Sequence, residues 1–258
     1  MVITILAIVL GFIMTVGGLV PNVANGMLET KLKEALNQPE YLRVKVYPTA
    51  PSSTLLDGQI AYTEIDAKNF VLSDLPIDAM SLRIDHLNAD TSGKQVVLRE
   101  PTQGLVRVKI TEAGLNRFIQ SDTFRALLDD IRKRQELAQQ LDADLSDLAI
   151  DLQNGAVKIS GQAVTMGGFF TIPFEVAGQL QLANERHLVV GNVKATTLER
   201  PLPDDMIQSI LVALNPILDL GKLSNQDMQL YFRQLVIHED FFELIGEAEL
   251  KKIPQLGS

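Results

Sequence analysis

The stretch that decides the fold is FFTIPFEVAGQLQL, residues 169–182. Within it, apolar side chains fall at every second position and mostly polar ones lie between them, which is typical of a half-buried β-strand. The run is more than twice as long as a typical strand of about 5–6 residues. A flat strand of this length would span roughly 45 Å, so we expect it to curl, with Pro173 and Gly178 as points where it can bend.

Shorter alternating segments surround this stretch on both sides. Asn154-Gly155 is a strong two-residue hairpin signal between two of them. Strands joined by short polar turns predict an antiparallel sheet with one face in water. The predicted strands cover residues 42–46, 60–67, 80–87, 95–98, 105–110, 157–164, 188–195, 228–237 and 241–250, with one more beginning near 145.

Helical spacing marks several other segments. Residues 25–37 predict an amphipathic helix, and residues 111–120 predict a short one. Ser121 is placed to cap a longer helix whose apolar stripe continues to Leu141. A further helix begins at Asp204. Strand blocks separated by a few helices are typical of the α+β class rather than of a doubly wound fold.

The N-terminus is apolar: residues 2–20 carry no charge and approach the ~20 residues that a helix needs to cross a bilayer. The length favours an uncleaved membrane anchor. A cleaved signal peptide would normally have Lys or Arg before the apolar run, and a buried core helix is the third interpretation. We therefore expect residues 1–24 to be an anchor or signal segment and residues 25–258 to be a single α+β domain. The side chains expected in the membrane are Ile3, Leu6, Leu10, Phe12 and Val16.

The composition limits the functions open to the chain. A net charge of −9 argues against nucleic acid, because a phosphate backbone is bound by clustered Lys and Arg. The chain has no cysteine, which excludes disulfides and thiol catalysis, and its three histidines lack metal-ligand spacing. It has no nucleophile elbow, phosphate loop or dinucleotide-binding motif. We therefore expect no catalytic residues, no metal and no cofactor.

Several motifs follow one another in a familiar order. They are GMLETKL at 26–32 after the apolar segment, LLDGQI at 55–60, LREP at 98–101, TEAGLN at 111–116 and PLP at 201–203. With these motifs the chain resembles the LmeA-like phospholipid-binding family, as a cyanobacterial-type member. The resemblance covers nearly the whole chain.

The resemblance implies a fold similar to tubular lipid-binding domains. In that fold a curled antiparallel sheet is wrapped around long amphipathic helices and leaves an apolar groove; here one N-terminal apolar helix would precede it. The resemblance also implies export and the binding of phospholipid in the bacterial cell envelope. It transfers neither a catalytic residue nor a lipid-contacting one.

The leading hypothesis is non-catalytic binding, extending to transfer, of a phospholipid or similar acyl lipid by a periplasmic domain. The long strand and the helix from Asp204 would form the groove, although such side chains more often serve as plain core. The alternatives are an envelope-assembly scaffold that binds a protein partner and, less favoured, a lipid or glycan hydrolase. The candidate groove residues are Phe170, Ile172, Phe174, Val176, Ile207, Ile210 and Leu214.

Overall fold

Strands dominate the part of the chain that the structure describes. The computed structural model describes residues 38–49, 59–72, 74–90, 97–134, 143–153, 155–165, 169–198, 200–202, 215–223 and 228–251, with single positions 33, 36, 207, 208 and 211. The predicted membrane segment lies outside these residues, and so does nearly all of the predicted helix 25–37.

Thirteen strands occur among the described residues, and all of their pairings are antiparallel. The predicted strands are confirmed, and most extend further than the alternation indicated. The strands are β1 (Tyr41–Pro48), β2 (Gln59–Leu72), β3 (Leu75–Asp90), β4 (Val97–Leu98), β5 (Thr102–Thr111), β6 (Ala143–Gln153), β7 (Ala156–Thr165), β8 (Phe170–Ala183), β9 (His187–Thr197), β10 (Arg200–Pro201), β11 (Leu218–Asp219), β12 (Met228–Ile237) and β13 (Phe241–Leu250).

The strands form two sheets. Sheet 1 has the order β1-β2-β3-β5-β13-β12, with β4 paired to the end of β3. Sheet 2 has the order β10-β9-β8-β7-β6, with β11 also paired to β9. The long strand that opened the sequence analysis is β8, near the middle of sheet 2. The chain thus builds two separate meanders, and only β12 and β13 return from sheet 2 to sheet 1.

The predicted α+β class, with a sheet wrapped around long amphipathic helices, is wrong. The described residues contain two short α-helices, α1 (Glu112–Ile119) and α2 (Asp122–Arg134). The two helices are separated at Ser121. Its hydroxyl accepts a hydrogen bond from the Phe124 amide and so caps α2 as predicted. The apolar faces of the sheets bury one another's side chains and a few helical ones, so no long central helix is needed. Most of the helix expected from Asp204 lies outside the described residues, although Ile207, Gln208 and Leu211 are helical.

The hairpin of β2 and β3 changes its buried face twice. Along β2, odd-numbered residues are buried from Thr63 to Ala67, and even-numbered ones are buried from Phe70 onward. Asn69 lies at this change and has a φ of 53°. His86 has a φ of 50° and lies at the second change, just after Ile84. A left-handed residue rotates the strand locally, so one long hairpin can turn different faces toward the core.

Helix α1 covers the free edge of β6. The Asn116 side chain donates to the Ile150 carbonyl and accepts from the Ile150 amide, both at 2.7 Å. The Glu112 carboxylate accepts from the Leu152 amide at 2.8 Å. These two side chains therefore take the place of a neighbouring strand and satisfy backbone groups that an edge would otherwise expose.

The opposite edge of sheet 2 is covered in a similar way. β10 and β11 pair with the two ends of β9, and a gap remains between them at Val190. The Asn215 side chain fills this gap, since it accepts from the Val190 amide at 2.8 Å and donates to the Val190 carbonyl at 3.0 Å. Part of the outer edge of each long outer strand, β6 and β9, is thus hydrogen-bonded.

The two sheets share one apolar core. Their buried side chains belong to a single cluster. α1 packs against β3 on one side and β6 on the other, which joins the sheets at that point. A second junction lies at β12, where the Phe232 amide donates to the Glu185 carbonyl at 2.9 Å.

Candidate functional site

A small cavity lies on the inner face of sheet 1. Its described lining contains no polar residue. The β2–β3 hairpin supplies one wall with residues beyond the face change at Asn69, and Leu220, from the 3-10 turn Leu220–Leu223, lies across it. The lining residues are Phe70, Leu72, Leu75, Ile77, Met80, Val106, Val108, Ile110, Leu220, Leu230, Phe232 and Leu244.

The cavity is dry and nearly closed. Its volume is about 30 Å³, and a water placed there would find no polar partner among the described lining. Sites for small molecules usually hold about 300–1,000 Å³, so an acyl chain would have to displace side chains to enter. Met80 is an unbranched and adaptable lining residue, which suits such repacking.

The candidate groove residues on β8 lie in sheet 2 and do not line this cavity. Phe174 and Val176 are buried, Ile172 is half-buried, and Phe170 is 58% exposed. Phe174 faces Gly161 of β7, where an added Cβ would lie 3.0 Å from the ring. β8 therefore runs from packed core into solvent along one apolar face.

The three candidates from the last helix are only partly placed. Ile207 is half-buried and packs against the core, whereas Ile210 and Leu214 lie outside the described residues. The part that all seven candidates play in lipid binding stays a prediction.

Sequence reasoning missed the cavity residues for a physical reason. Phe70 and Leu72 are out of phase with the alternation that defines the first half of β2. The pattern therefore ended the predicted strand at residue 67. The signal in the sequence was the break in the alternation, since apolar residues continue immediately after the polar pair Lys68-Asn69.

Charged side chains pair on the outer faces of the sheets. Arg43 and Asp66 form an ion pair at 2.6 Å across β1 and β2. On sheet 2, Lys158 lies 2.8 Å from Glu175. The hydrogen bond and the charge of Glu175 raise the pKa of Lys158, which favours the charged ammonium. Neither pair faces the cavity.

An open groove of about 580 Å³ crosses the outside of sheet 1. It is lined by acidic side chains, including Asp85, Glu100 and Glu247, beside His86 and the exposed Leu105. No group of three or more His, Asp or Glu side chains within the described ranges is arranged to hold a metal ion. Asp85 and Glu247 are instead paired with arginines.

None of the helices in the described part of the chain is long and apolar enough to cross a membrane. The predicted anchor residues all lie at positions before 33 and so outside that part. The anchor or signal segment at residues 1–24 stays a prediction.

Two sheets with a common apolar core and a dry internal cavity define a β-rich protein of the kind that can hold an apolar ligand. The family model described as LmeA-like phospholipid-binding matches residues 15–241, and the chain belongs to this family. The resemblance inferred from the motifs is therefore confirmed. None of the curated proteins matches the chain. The cyanobacterial type stays a prediction.

The most specific motif of the resemblance now has a structural explanation. The Thr111 hydroxyl accepts from the Gly114 amide and caps α1. Glu112 and Asn116 hold the edge of β6, and Leu115 is buried. The motif at 111–116 thus joins the two sheets.

Proposed function

We propose that the chain binds a phospholipid or a similar acyl lipid without catalysis, with an acyl chain in the cavity of sheet 1. The observation that carries the proposal is the wholly apolar described lining of that cavity. Each buried CH₂ of an acyl chain contributes about 0.8 kcal/mol, which offsets the cost of moving Leu220 and its neighbours apart. Membership in a phospholipid-binding family supports the choice of ligand.

We further propose that this binding serves lipid handling, including transfer, in the cell envelope. The domain would be periplasmic, and residues 1–24 would anchor or export it. The support for this location is the uncharged run of residues 2–20 and the family.

The test is a titration of the full-length chain with a phospholipid that carries a fluorophore on one acyl chain. We expect the fluorescence to rise and shift to the blue as the label enters a dry site. Val108→Phe fills the cavity and should weaken binding at least tenfold, because Val108 lines it. Leu105→Phe is the matched control, since it lies on the same strand but faces solvent.

Equal binding by the wild type and Val108→Phe would show that the lipid binds outside this cavity. Val108→Ala guards against a folding defect, because it enlarges the cavity and should leave binding equal or tighter. Extraction of the purified full-length chain with organic solvent would identify a co-purified phospholipid. Conversion of the bound lipid to a smaller product would support the hydrolase alternative instead of non-catalytic binding.

A second candidate function is an envelope-assembly scaffold that binds a protein partner. The small volume of the cavity favours it, because a closed core needs no ligand. In that case added phospholipid would leave the wild-type chain unchanged in fluorescence and in mass.

A further inference from the structure

The apolar face of β8 leads from the core to the surface. Val176 and Phe174 are buried, Ile172 is half-buried and Phe170 is 58% exposed. Phe169, which precedes the strand, is 87% exposed. The side chains of residues 170–176 that share this face thus become steadily more accessible toward the start of the strand.

This end of β8 extends beyond the neighbouring strand. The pairing of β8 with β9 begins at Glu175, so the residues before it pair only with β7 among the described strands. Leu198 follows the last residue of β9, at the same end of sheet 2, and is 79% exposed. We call Phe169 and Phe170, together with the neighbouring aliphatic Leu198, the aromatic tip.

The hairpin sequence around Phe169 and Phe170 carries no charge. Residues 161–174, GQAVTMGGFFTIPF, contain no Asp, Glu, Lys or Arg, although 21% of the whole chain is charged. β7 and β8 pair with each other up to Thr165 and Phe170, so the backbone groups that face across the hairpin are satisfied. Such a hairpin can bring its side chains into an apolar medium without stripping water from a charged group.

We propose that the aromatic tip inserts into the surface of a phospholipid bilayer and there opens the apolar interior to lipid. The proposal rests on the proposed function, because a chain that binds phospholipid must take it from a bilayer. Large apolar side chains exposed at a projecting end are otherwise unfavourable in water. Phe and Leu are among the side chains that membrane-surface segments bury at the boundary between headgroups and acyl chains.

The charge distribution selects the kind of membrane contact. The tip contains no Lys or Arg and the chain has a net charge of −9, so attraction to anionic headgroups is not its source of affinity. The affinity for the membrane comes instead from the burial of apolar side chains. Binding should therefore occur on zwitterionic phosphatidylcholine vesicles and should change little with salt.

The experiment uses the absence of tryptophan from the chain. Phe170→Trp places a single reporter in the tip of the full-length protein. With phosphatidylcholine vesicles we expect its emission to shift to the blue and to be quenched by phosphatidylcholine brominated on its acyl chains. This signal is local, so an N-terminal anchor in the same bilayer does not produce it.

Leu105→Trp is the matched control, because Leu105 is also 58% exposed but lies on the outer face of sheet 1. Its emission should not change with vesicles. Equal quenching of the two reporters, or no quenching of Phe170→Trp, overturns the proposal. A blue shift of Phe170→Trp without bromolipid quenching also overturns it, because the tip would then contact protein.

A second measurement separates this proposal from the proposed function. Phe169→Asp combined with Leu198→Asp should slow uptake of labelled lipid from vesicles at least tenfold, since each buried apolar side chain lost is worth roughly that factor. The same variant should bind a monomeric short-chain phosphatidylcholine as the wild type does. Failure of the wild type to bind the short-chain lipid would contradict the proposed function. Equal uptake by both proteins would contradict only the membrane insertion of the aromatic tip.

Discussion

Two buried threonines of sheet 1 have opposite hydrogen-bonding environments. The Thr102 hydroxyl donates to the Asp85 carbonyl at 2.5 Å. The Thr63 hydroxyl is completely buried and finds no partner in the described part of the chain. An unsatisfied buried hydroxyl costs about 1–3 kcal/mol, whereas a satisfied one stabilises by about 0.5–1.5 kcal/mol.

The same substitution should therefore have opposite effects at these two positions. We expect Thr63→Val to raise the free energy of unfolding by about 1–3 kcal/mol, because valine has nearly the same shape. Thr102→Val should lower it by about 0.5–1.5 kcal/mol. Urea unfolding of both variants measures the difference. A loss of stability in Thr63→Val would show that its hydroxyl has a partner after all.

At the scale of elements, Asn116 makes two of the three side-chain hydrogen bonds described between α1 and β6. Asn116→Ala would leave the amide and the carbonyl of Ile150 without their partner. We expect the free energy of unfolding to fall by about 2–6 kcal/mol, from roughly 1–3 kcal/mol for each group. Asn116→Asp, which keeps only the acceptor, should fall between. Arg117→Ala, exposed on the same helix, should change stability by less than about 0.5 kcal/mol in the same unfolding assay.

Sequence patterns predicted single elements better than their assembly. β12 and β13 match the predicted residues 228–237 and 241–250. β13 keeps its even-numbered residues buried throughout, whereas β12 shifts its pairing at a bulge between Phe232 and Gln234. The prediction stopped short in β2, where a left-handed Asn69 exchanges the faces. Alternation records which face is buried, so it fails where that face changes.

The candidate site was harder to predict for a related reason. An apolar side chain that lines a cavity and one that packs in a core have the same pattern in sequence. β8 was singled out for its length, yet the cavity is lined mainly from sheet 1, through pairings between segments far apart in the chain. The division into two sheets depends on the same long-range pairings, which is why the fold class was mistaken.

At the scale of the whole molecule, a ligand that binds only the folded chain must stabilise it. At a lipid concentration 100 times the dissociation constant the gain is about 2.7 kcal/mol. For a chain of this size this corresponds to a rise in Tm of about 5–10 °C. Far-ultraviolet circular dichroism with short-chain phosphatidylcholine measures it, and Val108→Phe should show a much smaller rise.

Glycerophosphocholine, which has the headgroup without the acyl chains, is the control for that measurement. It should leave Tm unchanged, because the cavity offers no polar group among its described lining. A rise in Tm with the headgroup alone would indicate a polar site elsewhere. An equal rise for the wild type and Val108→Phe would contradict the cavity as the seat of the lipid.

The hydrogen-bonded edges of sheet 2 affect how copies of the chain could pair with one another. A sheet with unpaired outer strands is a template on which further copies can stack into fibrils. Asn116 and Asn215 occupy the outward backbone groups of Ile150 and Val190. An incoming strand would have to displace these two side chains before it could pair along the full length of β6 or β9.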